Sequence, residues 1–117
     1  MPYRADLPEY NGWVNYPTWN AMLWLSNDSA EVWEDFLRFG QAVLDAPQGQ
    51  ARIKAYVVAY IKHSGGEASC RADLTGWAGH YEKGLRWALD QIDWDEIVEH
   101  LRDAVNDALP ATNGEED

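Results

Sequence analysis

Cysteine is nearly missing from this 117-residue chain, and lysine and arginine are scarce: nine, against 20 aspartates and glutamates. With Cys70 alone, no intrachain disulfide can form and no multi-cysteine zinc site can be built. That cysteine usage fits a reducing compartment, and a cytoplasmic location is expected. No hydrophobic run nears the ~20 residues of a membrane span. The longest apolar stretch, Ala55 to Ile61, is bracketed by Lys54 and Lys62, so no membrane role is expected. The opening MPYRADLPEY has no apolar run after Arg4, and no signal peptide is read there.

The acids set what is present. The formal net charge is −11, and it is concentrated. From Asp90 to Asp117 there are ten acids and one base, Arg102, whereas the other 89 residues hold ten acids and eight bases. Phosphate contacts need cations, so direct nucleic-acid binding is disfavoured. A basic partner, or simple solubility, suits such a surface better. Seven tryptophans are the other oddity. The length suits one domain with a core of its own.

Hydrophobic periodicity predicts a compact all-α domain of about five helices over 1–110. Residues 1–14, with Pro2, Pro8 and Gly12 among Tyr3, Tyr10 and Trp13, read as an irregular arm docked by its aromatics. The first helix opens near Pro17 and is apolar nearly all round, so it should be central. Asp28 with Glu31 reads as a capping box for the second helix, which Pro47 and Gly49 end. The third runs from about Gln50 to His63 and is the most basic. A long loop at 64–73 holds Cys70, and a fourth helix follows from about Leu74 to Ile92. Gly76, Gly79 and Gly84 in it either weaken it, by roughly 1 kcal/mol each, or permit close helix approach. Asp93 and Glu96 cap a fifth helix that Pro110 stops. The acidic tail 111–117 reads as disordered.

Signals for catalysis are thin. Glu96 and His100 share a helix face, with Asp103 one turn on, and this trio would serve a small metal-dependent hydrolase. A metal site wants three or four converging ligands, and a solvated face explains the trio more simply. Cys70 lies near His63, His80 and Arg71, and Arg71 would lower its pKa, yet an ordinary thiol is the plainer reading. No phosphate-binding glycine loop is present. Neither a catalytic residue nor a metal or other cofactor is assigned.

The acidic segment is the strongest candidate. Asp90, Asp93, Asp95, Glu96, Glu99, Asp103 and Asp107 cover 18 residues. As one helix these would span roughly 26 Å at about 1.5 Å per residue. One charge would then fall per ~3.6 Å, near the ~3.4 Å phosphate repeat of a DNA strand. An ordinary wet face and favourable charges at a helix N-terminus compete with that reading. The tryptophans mostly sit on apolar stripes and read as core. Trp24 and Trp87 fall off those stripes and are expected at a partner surface.

Two segments together carry a resemblance. NYPTWNAMLWLSND (15–28) resembles an N-Y-x-T-W-N-x-x-L-W-x-x-N-D signature, and YEKGLRWALDQIDWDEIVEHL (81–101) resembles a segment whose hallmark is a tryptophan followed by acid-Glu-Ile. The pair resembles a family of small uncharacterised proteins of phages, plasmids and bacterial genomes. The resemblance implies a small protein from a mobile element, and it carries no catalytic residue.

The sequence therefore points to a non-enzymatic interaction protein. It would bind and inhibit a basic host protein or nucleoprotein complex of the anti-CRISPR or anti-restriction kind, with nucleic-acid mimicry one form of this. The partner-binding residues would be Asp93, Asp95, Glu96, Glu99, Asp103, Asp107, Trp24 and Trp87. A homodimeric structural module is the remaining alternative.

Overall fold

The computed structural model describes residues 4–108, so the end of the arm and the tail at 111–117 lie outside the described residues. Within them the fold is all-α, with six helices and an isolated bridge in place of any strand. The helices are α1 (Tyr16–Asn27), α2 (Ala30–Val43), α3 (Gly49–His63), α4 (Ser69–Gly79), α5 (Leu85–Asp90) and α6 (Trp94–Ala108). A short 3-10 turn, Gly65–Ala68, links α3 to α4.

The expected count was five. The stretch read as one fourth helix is two, because the chain turns at 80–84. Glu82 there takes a φ of +59°, and Lys83 N–H donates to the Ala78 carbonyl at 3.0 Å, which closes α4. The start also moves, since α4 begins at Ser69 and absorbs the second half of the expected loop at 64–73. Gly76, Gly79 and Gly84 face open space, so they do not serve close helix packing. The glycine that does is Gly40 on α2: a Cβ there would lie 2.8 Å from Leu101 Cδ2 of α6.

Helix α1 is central, as its composition predicts, and packs against α2, α4 and α6. Its buried apolar side chains are Pro17, Ala21, Met22 and Leu25. They join Phe36 and Leu37 of α2, Ile53, Val57 and Ile61 of α3, Leu74 and Ala78 of α4, and Ile97, Leu101 and Val105 of α6 in one core. Burying each of the larger aliphatic or phenyl side chains among them stabilises the fold by about 1.5–3 kcal/mol before entropy is counted.

The signature stretch also buries polar groups. Asn15 caps α1, accepting from Thr18 N–H at 3.1 Å and Thr18 Oγ1 at 2.7 Å. Its amide donates to the Gln91 carbonyl at 2.7 Å. Thr18 Oγ1 in turn accepts from Asp93 N–H at 2.9 Å. These bonds clip the start of α1 to the α5–α6 junction, where backbone groups would otherwise lie buried without partners.

The second helix is capped by Ser29, whose Oγ accepts from Val32 N–H at 3.1 Å. Asp28, the expected cap, is used elsewhere. Its Oδ2 accepts from the Tyr60 hydroxyl and from Gly66 N–H, both at 2.9 Å, tying the end of α1 to α3 and the 3-10 turn. The described part of the arm, from Arg4, packs on the body, with Tyr10 against Trp19 and Trp13 against His100. Leu7 is buried, and Asn11 and Gly12 both take positive φ, forming a tight turn in which Tyr10 and Trp13 exchange backbone hydrogen bonds.

Candidate partner surface on the last helix and its aromatic groove

Helix α6 is strongly amphipathic. Ile97, Leu101 and Val105 point into the core, which turns the acids outward. Asp95, Glu99, Asp103 and Asp107 are all exposed and recur every four residues, in steps of about 6 Å along one side. Among the described residues Glu99, Asp103 and Asp107 make no ion pair. Asp95 Oδ1 accepts from Gln50 Nε2 at 2.9 Å. Arg102, the only cation of α6, reaches across to Asp45 of the α2–α3 connection at 3.0 Å. The row is therefore left uncompensated by its own helix.

The other two expected acids have local duties. Asp93 precedes α6, and its Oδ1 accepts from Glu96 N–H at 3.2 Å, so it caps the helix as predicted. Glu96 does not complete the box. Its Oε1 accepts from Val14 N–H at 3.1 Å and holds the arm instead. Asp90 belongs to α5, across a turn from α6. The outward row thus has one charge per ~6 Å rather than ~3.6 Å, sparser than the phosphates of a DNA strand.

Of the two tryptophans expected at a surface, Trp87 turns inward and Trp24 stays half-buried. Trp87 is buried, 7% exposed, with its ring stacked on Trp77 at 5.3 Å. The turn at 80–84 resets the helical phase, so α5 presents Trp87, Ala88 and Leu89 to the core. Trp24 is half-buried and lies over Gly66, where a Cβ would sit 2.5 Å from its ring. Its Nε1 donates to Asp73 Oδ2 at 3.0 Å.

Three other tryptophans also reach the surface. Trp13, Trp19 and Trp33 are half-buried and, with Met22, Leu23 and His100, line an open groove of about 320 Å³ between the arm, α1, α2 and α6. The His100 ring lies 4.0 Å from that of Trp13. His100 sits one turn from Asp103, so the groove borders the acidic row. The sequence signal for it was the Trp19–Met22–Leu23–Ser26 face of α1, which reads as core. The deepest face of α1 is rotated toward Thr18, Ala21 and Leu25.

The trio of Glu96, His100 and Asp103 does not assemble as a ligand set. Glu96 is engaged by the arm, His100 faces Trp13, and no group of three or more His, Cys, Asp or Glu placed to hold a metal occurs among the described residues. Cys70 is not in a loop but on α4 and fully buried, donating to Asn20 Oδ1 at 3.3 Å. Burial, then the Asp73 and Asp28 carboxylates, push its thiol pKa up to about 12, the reverse of activation. Arg71 turns away, donating to the Lys62 carbonyl at 2.8 Å. No helix among the described residues is long and apolar enough to cross a membrane.

No protein-family model, no curated protein and no solved structure matches this chain.

Proposed function

We propose that this chain is a non-enzymatic interaction protein that binds a basic, nucleic-acid-handling protein through α6 and the adjoining tryptophan groove. The observation that carries the reading is the outward row of Asp95, Glu99, Asp103 and Asp107, with Arg102, the only lysine or arginine of α6, engaged by Asp45. Such a row attracts a positive surface over roughly a Debye length, about 8–10 Å. The groove beside it supplies apolar area and tryptophan faces, the usual energetic centre of an interface. The spacing supports general charge complementarity with a basic groove better than phosphate-for-phosphate imitation. The anti-CRISPR or anti-restriction setting rests on the resemblance of 15–28 and 81–101 to small proteins of mobile elements.

The test compares the wild-type chain with a variant carrying Asp95→Asn, Glu99→Gln, Asp103→Asn and Asp107→Asn as baits in host extract. A basic nucleic-acid-handling protein should be retained by the first, released by added salt, and lost from the second. Retention that ignores both the substitutions and salt would overturn the proposal.

A further inference from the structure

A second pocket lies on another part of the molecule, between the arm, α1 and α4. It has a volume of about 480 Å³ and is lined by Tyr10, Tyr16, Asp73, Gly76, Trp77 and His80, with no lysine or arginine on its wall. Tyr10 is 40% exposed, and its ring stands at 87° to that of Tyr16, with centroids 5.0 Å apart. Trp77 continues the wall, nearly parallel to Tyr16 at 5.9 Å. Two aromatic planes therefore meet at a corner, with a carboxylate beside them.

That carboxylate is held from beneath. Asp73 is exposed, yet its Oδ2 accepts from Trp24 Nε1 at 3.0 Å and from Asn20 Nδ2 at 3.1 Å. Asn20 is 1% exposed, and the same amide nitrogen lies 3.3 Å from the Tyr16 hydroxyl. Its other end is fixed by Cys70. One buried amide thus positions both the carboxylate and one aromatic wall. Asp73 Oδ1 takes no hydrogen bond among the described residues. Gly76, one turn along α4, leaves open space where a side chain would fill the pocket.

We infer that this pocket binds an alkylammonium cation, with Tyr10, Tyr16 and Trp77 facing the methylene or methyl groups and Asp73 opposing the charge. Aromatic faces attract such cations, the more so where water is excluded, and a carboxylate selects them over neutral groups of equal shape. The cation comes either from a small free molecule or from a lysine side chain of another protein. The inference does not depend on the acidic row of α6.

The experiment titrates the purified chain while following the Trp77 indole N–H by NMR. The probes are choline, its uncharged isostere 3,3-dimethylbutan-1-ol, and acetyl-Gly-Lys-Gly-amide with and without trimethylation of the lysine. Choline or a lysine peptide should give a saturable shift, and the alcohol should bind at least tenfold more weakly. Choline matching the peptides identifies a small-molecule site; peptides alone identify a lysine-presenting partner. Asp73→Asn should weaken binding at least tenfold. Gly76→Leu should abolish it with the melting temperature retained, which keeps the test valid if the Asp73 variant unfolds. Saturation by none of the cations, an alcohol as good as choline, or full binding by Gly76→Leu would overturn the inference.

Discussion

The indole N–H of Trp24 donates to Asp73 Oδ2 across 3.0 Å, joining α1 to α4 through residues 49 apart in the chain. This bond holds a tryptophan off the apolar stripes half-buried against α4. Trp24→Phe removes the donor and part of the ring that covers Gly66. It should cost about 1 kcal/mol, the usual net value of one hydrogen bond, as measured by urea denaturation. A loss under a few tenths would show that the bond adds nothing to stability.

Gly40 and Gly76 should respond oppositely to alanine. At Gly40 the new methyl meets Leu101 at 2.8 Å, so Gly40→Ala is expected to cost about 1–3 kcal/mol through overpacking. At Gly76 nothing lies within 4 Å, and Gly76→Ala should stabilise by roughly 0.5–1 kcal/mol through helix propensity. Thermal melts of the two variants check both signs.

The clip at the start of α1 makes a graded prediction. Asn15→Ala removes a cap and the buried amide that donates to the Gln91 carbonyl, at a cost of about 2–3 kcal/mol. Ser29→Ala removes an exposed cap only and should cost about 1 kcal/mol. Equal losses from chemical denaturation would contradict the clip.

Alkaline pH should weaken the fold. Burial raises the Cys70 thiol to about 12, and burial together with the hydrogen bond to Asp28 raises the Tyr60 hydroxyl. Both groups are acids that the folded state keeps neutral. Their contribution is intact below the unfolded-state values, near 9 for the thiol and 10 for the phenol, and falls as pH climbs from there toward the folded values. Unfolding free energy measured from pH 8 to 11 should decline, and Cys70→Ala should flatten the first part of that decline. At pH 8 the native thiol should resist a thiol reagent that labels the unfolded chain at once.

Neutralising the α6 row should not harm folding. Asp95, Glu99, Asp103 and Asp107 repel one another at four-residue spacing, so their amide variant should be more stable by a few tenths of a kcal/mol per pair removed. The gain should shrink with added salt. A destabilised variant would mean that the Asp95 charge in the first turn and its bond to Gln50 outweigh the repulsion along the row.

What the sequence determined by itself was local. It specified an all-α chain, the amphipathic faces of α2 and α6, the proline opening of α1, the Asp93 cap and the outward acids, because each depends on residues within a turn or two. The tertiary structure decided the rest. Asn15, Thr18 and Asn20 make bonds to residues 53 to 76 positions away, and no periodicity encodes such partners. Trp87 went inward because the five-residue turn at 80–84 reset the helical phase before it. Asp28 left the cap to Ser29 because Tyr60 and Gly66 offered it two donors in a half-buried site, where a carboxylate with two donors is favoured over one with none. The tryptophan groove and the Asp73 pocket exist only where the arm, α1 and its neighbours converge, so their residues carry no shared mark in the sequence.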